Sequence, residues 1–298
     1  MRDMPLEKLP TSSKRKIDYR EFPWLKLDYV EVEERVKLRV FKISCKNKDS
    51  KIKILVVAGL VSHFIGWIDL DKQLSEVGTV YHIESREKSS AIHSKRNVDF
   101  SMETYADDIY KITQYYNLDE YYLFGDSFGS EMAVTYLDKG YPTPKGLVLI
   151  SPVKSFAFSG WMKKLFSVAP HWLYYPLLPF LLMVLKHFRT DMKNDAGTYY
   201  LNKRNMTTSK PRRMKKCALH MFNYKSEIDY SKIKCPTYIF AASTDKMHSY
   251  QDSVDIAEKI PDSTFENLVH YHKTHDRVTS NKIRDFILGI EGKEEKKN

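Results

Sequence analysis

Ser127 stands between two glycines in Gly125-Asp126-Ser127-Phe128-Gly129, and that spacing is suited to nucleophilic chemistry. A serine hydroxyl attacks a carbonyl well only when a base removes its proton and nearby N–H groups receive the developing oxyanion. The stretch before it, Tyr121-Tyr122-Leu123-Phe124, predicts a buried strand, and Glu131 to Leu137 predicts a helix. Strand, glycine-bracketed serine and helix together form a nucleophile elbow. The turn is too tight for side chains at Gly125 and Gly129. It also lifts the serine hydroxyl clear of the sheet and leaves the following N–H groups at a helix N-terminus.

The base and its orienting acid must come from other loops. In this topology the order along the chain is Ser, acid, His, with the last two following late strands. Asp245 fits the acid, because Ser243-Thr244-Asp245-Lys246 follows the apolar strand Tyr238–Ala242. Three histidines, His270, His272 and His275, follow the last strand. His275 is the preferred base, since it directly precedes the final helix, and His272 is its rival. The two oxyanion donors expected are the N–H groups of Phe128, after the nucleophile, and Leu60, in the loop Ala58-Gly59-Leu60 after the first long strand.

The elements needed to position these groups are legible along the chain. Two period-two runs within Leu27 to Lys46 predict an antiparallel hairpin. From Lys51 onward strands alternate with helices, and Ile52 to Ala58 is nearly continuous in apolar residues, as in a sheet covered on both faces. Ser101 caps the helix whose apolar stripe is Tyr105, Ile109, Ile112 and Tyr116. After Ser151-Pro152 the alternation stops for about eighty residues and resumes at Cys235. The expected organisation is an N-terminal arm over residues 1–24, an α/β core over 25–150 and 232–290, a helical cap inserted at 151–231, and a charged tail at 291–298. The sheet should be mainly parallel, with helices on both faces.

These residues resemble the α/β-hydrolase superfamily over about residues 27–290. The elbow is similar to the family's Gly-x-Ser-x-Gly, and Ala58-Gly59-Leu60 with Trp67 is similar to its oxyanion loop, Ala58 replacing the usual His. Asp245 and His275 occupy the places of its acid and base. Three departures stand out: Glu84 to Ser90 replaces a glycine-rich loop, Thr274 replaces the usual Gly, and Asp126 adjoins the nucleophile. The resemblance implies a serine hydrolase with an α/β-hydrolase fold, acting on small-molecule carboxylic esters through an acyl-enzyme. Acyl transfer or thioester cleavage uses the same groups, and a non-catalytic binding protein on the scaffold is the reading from another class. Trp67, Trp161 and Trp172 are candidates for an apolar substrate pocket.

Composition bounds the rest. With 298 residues, 42% of them hydrophobic, the chain can bury a sizeable core. Three scattered cysteines fit a reducing, cytoplasmic setting better than a disulfide scaffold. No metal or cofactor is implied, because ligand spacing and a phosphate-binding glycine loop are both lacking. The net charge of +10 comes without a nucleic-acid motif. Its densest cluster, Lys203 to Lys216, suits a solvated helix face or attraction to an anionic head group, coenzyme phosphate or membrane surface. The apolar run His171–Phe188 is broken by Pro176 and Pro179 and is short of the ~20 residues a membrane span requires.

Overall fold

The structure is a computed structural model that describes residues 19, 22–60, 62–95, 97–156, 160–190, 192, 196–222, 224–245, 248–270, 273–274 and 276–296. Most of the expected N-terminal arm therefore lies outside the described residues. Strands β1 (Leu25–Glu33) and β2 (Val36–Ile43) form the antiparallel hairpin, with Arg35 in the turn at φ 63°. Then come β3 (Lys53–Val57), α1 (Ile68–Leu74), β4 (Thr79–Glu84), the short β5 (Ile92–His93), α2 (Met102–Tyr115), β6 (Tyr122–Asp126), α3 (Phe128–Asp138) and β7 (Gly146–Ile150). The chain next leaves the sheet for α4 (Gly160–Val168), α5 (Tyr174–Val184), α6 (Ala196–Thr208) and α7 (Pro211–Met221). It returns through β8 (Thr237–Ala241), α8 (Tyr250–Lys259), β9 (Ser263–Asn267) and α9 (Arg277–Glu295).

The strand order is β1-β2-β4-β3-β6-β7-β8-β9, with β5 paired to β2. Every pairing from β4 to β9 along that path is parallel, and only the β1, β2 and β5 edge is antiparallel. This is the α/β-hydrolase fold. The strand pleat divides the apolar residues between two cores. Leu55, Val57, Leu123, Leu147, Leu149 and Ile239 face one side, packed under Ile109 of α2, Met132 of α3 and Ile256 of α8. Ile54, Val56, Phe124, Val148, Ile150 and Phe240 face the other, under Leu70 of α1 and Ile283 and Ile287 of α9. Because both faces are covered, the central strands β6 and β7 are buried at every position, which explains their unbroken apolar runs.

Local sequence sets several element ends. Ser101 Oγ accepts the Thr104 N–H and starts α2, as its position predicts. Asp276 does the same for Thr279 at the start of α9. That last helix continues through Glu291 to Glu295, into the stretch expected from sequence to be a charged tail. Its extension is anchored by the Tyr122 hydroxyl, which donates to Glu291, and by Lys145, which pairs with Glu291 and Glu294.

Candidate active site

Ser127 sits at the C-terminal end of β6, the sheet edge where ligands bind in open α/β folds. Its backbone is held at φ 51° and ψ −112°, a strained conformation for a residue with a side chain. Several bonds lock it there: Ser127 N–H donates to the Ile150 carbonyl at 2.8 Å, and Ser130 Oγ donates to the carbonyls of Gly125 and Ile150. The glycines explain how so tight a turn forms. A Cβ at Gly129 would lie 2.0 Å from the Val57 carbonyl oxygen, and one at Gly125 would lie 2.6 Å from the Gly129 oxygen.

Among the described residues, the imidazole brought to Ser127 is that of His248. Its Nε2 lies 2.8 Å from Ser127 Oγ, and its Nδ1 lies 2.6 Å from Asp245 Oδ2. Asp245 also accepts the His248 backbone N–H at 3.3 Å, so the loop Asp245-x-x-His248 fixes the imidazole through two contacts. Burial alone would lower the His248 pKa. The hydrogen bond and charge of Asp245, with the charge of Asp126, outweigh it and hold the group above its ordinary value.

Of the residues read from sequence, Ser127 and Asp245 are brought together through this imidazole. His275 and His272 lie outside the described residues. Val269, just after β9, adjoins the acid's loop, since Thr244 N–H and Oγ1 both donate to its carbonyl. His248 precedes the last strand, outside the segment in which the order Ser, acid, His places a base. The available signal was its position three residues after Asp245, within reach of the same turn.

The expected oxyanion groups lie beside the nucleophile. Phe128 is the first residue of α3, where an N–H has no partner within the helix. The Ala58–Leu60 loop abuts the elbow so closely that a Cβ at Gly59 would lie 3.4 Å from Ser127 Cβ. Asp126, the unusual neighbour of the serine, accepts the Gly59 N–H at 3.3 Å. Burial pushes its carboxyl up to about 6, against the opposing influence of His248 and the Gly59 N–H. On the other side of the loop, buried Lys88 donates to the Ala58 carbonyl at 3.4 Å and to Ser85 Oγ at 2.6 Å.

The charged run Glu84–Lys88 is paired throughout. Arg86 makes a two-pronged contact with Asp108 at 2.6 and 2.7 Å, and Glu84 bonds Arg39 and the Phe64 N–H. Such buried pairs hold the loop behind the site in one arrangement, and removing one partner would strand the other charge.

Of the three tryptophans, Trp67 is buried against Phe124 and donates to Ser62 Oγ, so it packs the sheet. Trp161 and Trp172 are 69% and 59% exposed on the inserted helices. Among the described residues, no group of three or more His, Cys, Asp or Glu is placed to hold a metal ion.

One further buried acid bears on stability. Glu131 of α3 accepts the Tyr224 hydroxyl at 2.9 Å, tying the elbow helix to the chain returning from the insertion. Burial pushes its carboxyl from 4.5 to about 8, against the Tyr224 hydrogen bond. Its proton is thus held more tightly in the folded protein, so its contribution is full below 4.5 and is lost as pH rises through about 8. Each tenfold difference in proton affinity is worth about 1.4 kcal/mol. Wild-type unfolding midpoints measured by urea should therefore fall across this range, and Glu131→Gln should flatten the fall. An unchanged slope would refute the assignment.

A sequence model of the alpha/beta hydrolase fold family matches residues 54–273, spanning the elbow, Asp245 and His248. The chain belongs to that family. Solved structures with the same fold include a thermophilic esterase from Thermogutta terrifontis, 16% identical, covering 89% of this chain and 99% of that one at a TM-score of 0.69. A putative lipase from Acinetobacter baumannii AYE is 16% identical, covering 94% and 99% at 0.70. An enol-lactonase from Burkholderia xenovorans LB400 is 12% identical, covering 88% and 99% at 0.70. No curated protein matches the chain in sequence.

Proposed function

We propose that this α/β-hydrolase family member is a serine hydrolase that cleaves carboxylic esters through an acyl-enzyme. The observation carrying the proposal is the continuous line of contacts Ser127 Oγ–His248 Nε2, at 2.8 Å, and His248 Nδ1–Asp245, at 2.6 Å. Ser127 attacks the ester carbonyl while His248 Nε2 takes its proton. Asp245 keeps the Nδ1 proton in place and stabilises the imidazolium. The N–H groups of Leu60 and Phe128 receive the oxyanion, and losing one such donor costs on the order of 10²–10³ in rate. The imidazolium returns its proton to the leaving alcohol, and water activated by His248 then releases the acid. His275, with His272 behind it, is the alternative base that its place after β9 suggests, and comparing His275→Ala and His272→Ala with His248→Ala tests it.

An apolar acyl part is favoured by the aromatics around the elbow. Phe128 packs against Tyr105 and Phe156 at 5.0 and 5.8 Å between centroids, and Leu60 packs on the same core. The names of the esterase, lipase and lactonase with this fold are consistent with an ester substrate. An alcohol or thiol in place of water would turn the same acyl-enzyme to transfer, and product analysis with added acceptors distinguishes the two outcomes.

The test is intact-mass labelling with a fluorophosphonate. Wild type should gain one adduct and Ser127→Ala none. A folded wild type that resists labelling would overturn the proposal and favour a binding protein on the scaffold.

A further inference from the structure

Away from the site, the surface least like that of a soluble monomer lies on the inserted helices. No residue of α5 is buried, although its sequence, YYPLLPFLLMV, is apolar throughout. A helix apolar all round is ordinarily enclosed by protein or lipid. Here Tyr175 and Phe180 are 61% and 57% exposed, and Trp161, Trp172 and Phe188 stand open beside them. Ten of the seventeen large apolar side chains exposed among the described residues fall between Trp161 and Phe188, and concentration of that kind marks an interaction surface.

Charge identifies the occupant. Residues 151–231 contain fourteen Lys and Arg against four Asp and Glu, while the rest of the chain is balanced, so the entire net charge of +10 falls on the insertion. From Gly160 to Phe188 there is no acidic residue, whereas Lys164 and Lys186 are exposed within the apolar patch. A second copy docked about a two-fold axis would set this patch against itself, and the patch holds no carboxylate to meet its lysines. An anionic bilayer meets both features. Aliphatic side chains enter the acyl boundary, Trp and Tyr rings settle at head-group depth, and lysines reach lipid phosphates. No described helix is long and apolar enough to cross a membrane, so contact would be along the surface.

We propose that α4, the turn His171–Leu173 and α5 form a docking face for anionic phospholipid membranes. The proposal does not depend on the catalytic reading.

The test is co-sedimentation of the full chain with vesicles of phosphatidylcholine alone, or with about 30% phosphatidylserine to give an anionic surface. Wild type should pellet with the anionic vesicles and far less with the neutral ones, and added salt should release it. Tyr175→Glu/Phe180→Glu should lower the bound fraction at least about tenfold, since two apolar anchors are lost and two charges gained. Lys164→Glu/Lys186→Glu should weaken binding to anionic vesicles alone. Circular dichroism checks that these surface variants fold. Absence of vesicle binding, or equal binding by Tyr175→Glu/Phe180→Glu, would overturn the proposal. So would a concentration-dependent dimer abolished by that variant without any vesicle binding, which would assign the face to a second copy.

Discussion

His248→Ala is expected to lower kcat/KM for an activated ester on the order of 10⁴-fold or more, with the fold unchanged. The prediction follows from the place of the imidazole between Ser127 and Asp245, where its removal takes away the proton acceptor 2.8 Å from the hydroxyl among the described residues. Ser127→Ala should be at least as damaging, and combining the two should add little, because triad members act as a unit. The pH profile gives an independent readout. His248 must be neutral to act as base, and its pKa is held above 6.5, so the ascending limb of kcat/KM should lie above that value. His275→Ala and His272→Ala are the comparisons that decide the base. If His275→Ala abolishes activity while His248→Ala retains it, Asp245 serves the loop after β9 and the proton route proposed here is wrong.

Gly129→Ala is expected to abolish folding or lower stability by more than about 4 kcal/mol, at the exceptional end of single substitutions. The added methyl would meet the Val57 carbonyl oxygen at 2.0 Å and its carbon at 2.8 Å. Both are backbone atoms of a central strand paired on each side, to β4 and β6, so neither can move aside cheaply. Gly125→Ala meets backbone as well, at 2.6 Å from the Gly129 oxygen. Gly160→Ala is the control, since a Cβ there has nothing within 4 Å and should be nearly neutral. Urea denaturation of the three variants separates these cases. A Gly129→Ala protein as stable as wild type would show that α3 can lift away from β3.

The same contrast explains what could be read in advance. The elbow was legible because its requirements are local: an apolar strand, two glycines and a helix start within a short segment. The sheet was legible because covering both faces forces unbroken apolar runs, seen in β3, β6 and β7. Asp245 was legible because the turn after β8 is where a carboxylate can face the end of β6. The role of Asp126 was not, since its contact with Gly59 joins residues 67 positions apart. In the sequence, the charged run Glu84–Lys88 shows only as a replacement for a glycine-rich loop. Only folding supplied Arg39 and Asp108, from β2 and α2, as its partners.

The sequence by itself determined the fold class, through its alternating strands and helices, and singled out Ser127 and Asp245 as candidates from residue types within a few positions of one another. Only the tertiary structure brought the His248 imidazole to Ser127. It also decided which aromatic residues of the insertion are left exposed. Both depend on where loops and helices distant in sequence come to rest, and the periodicity of a segment constrains its own faces rather than what lies against them.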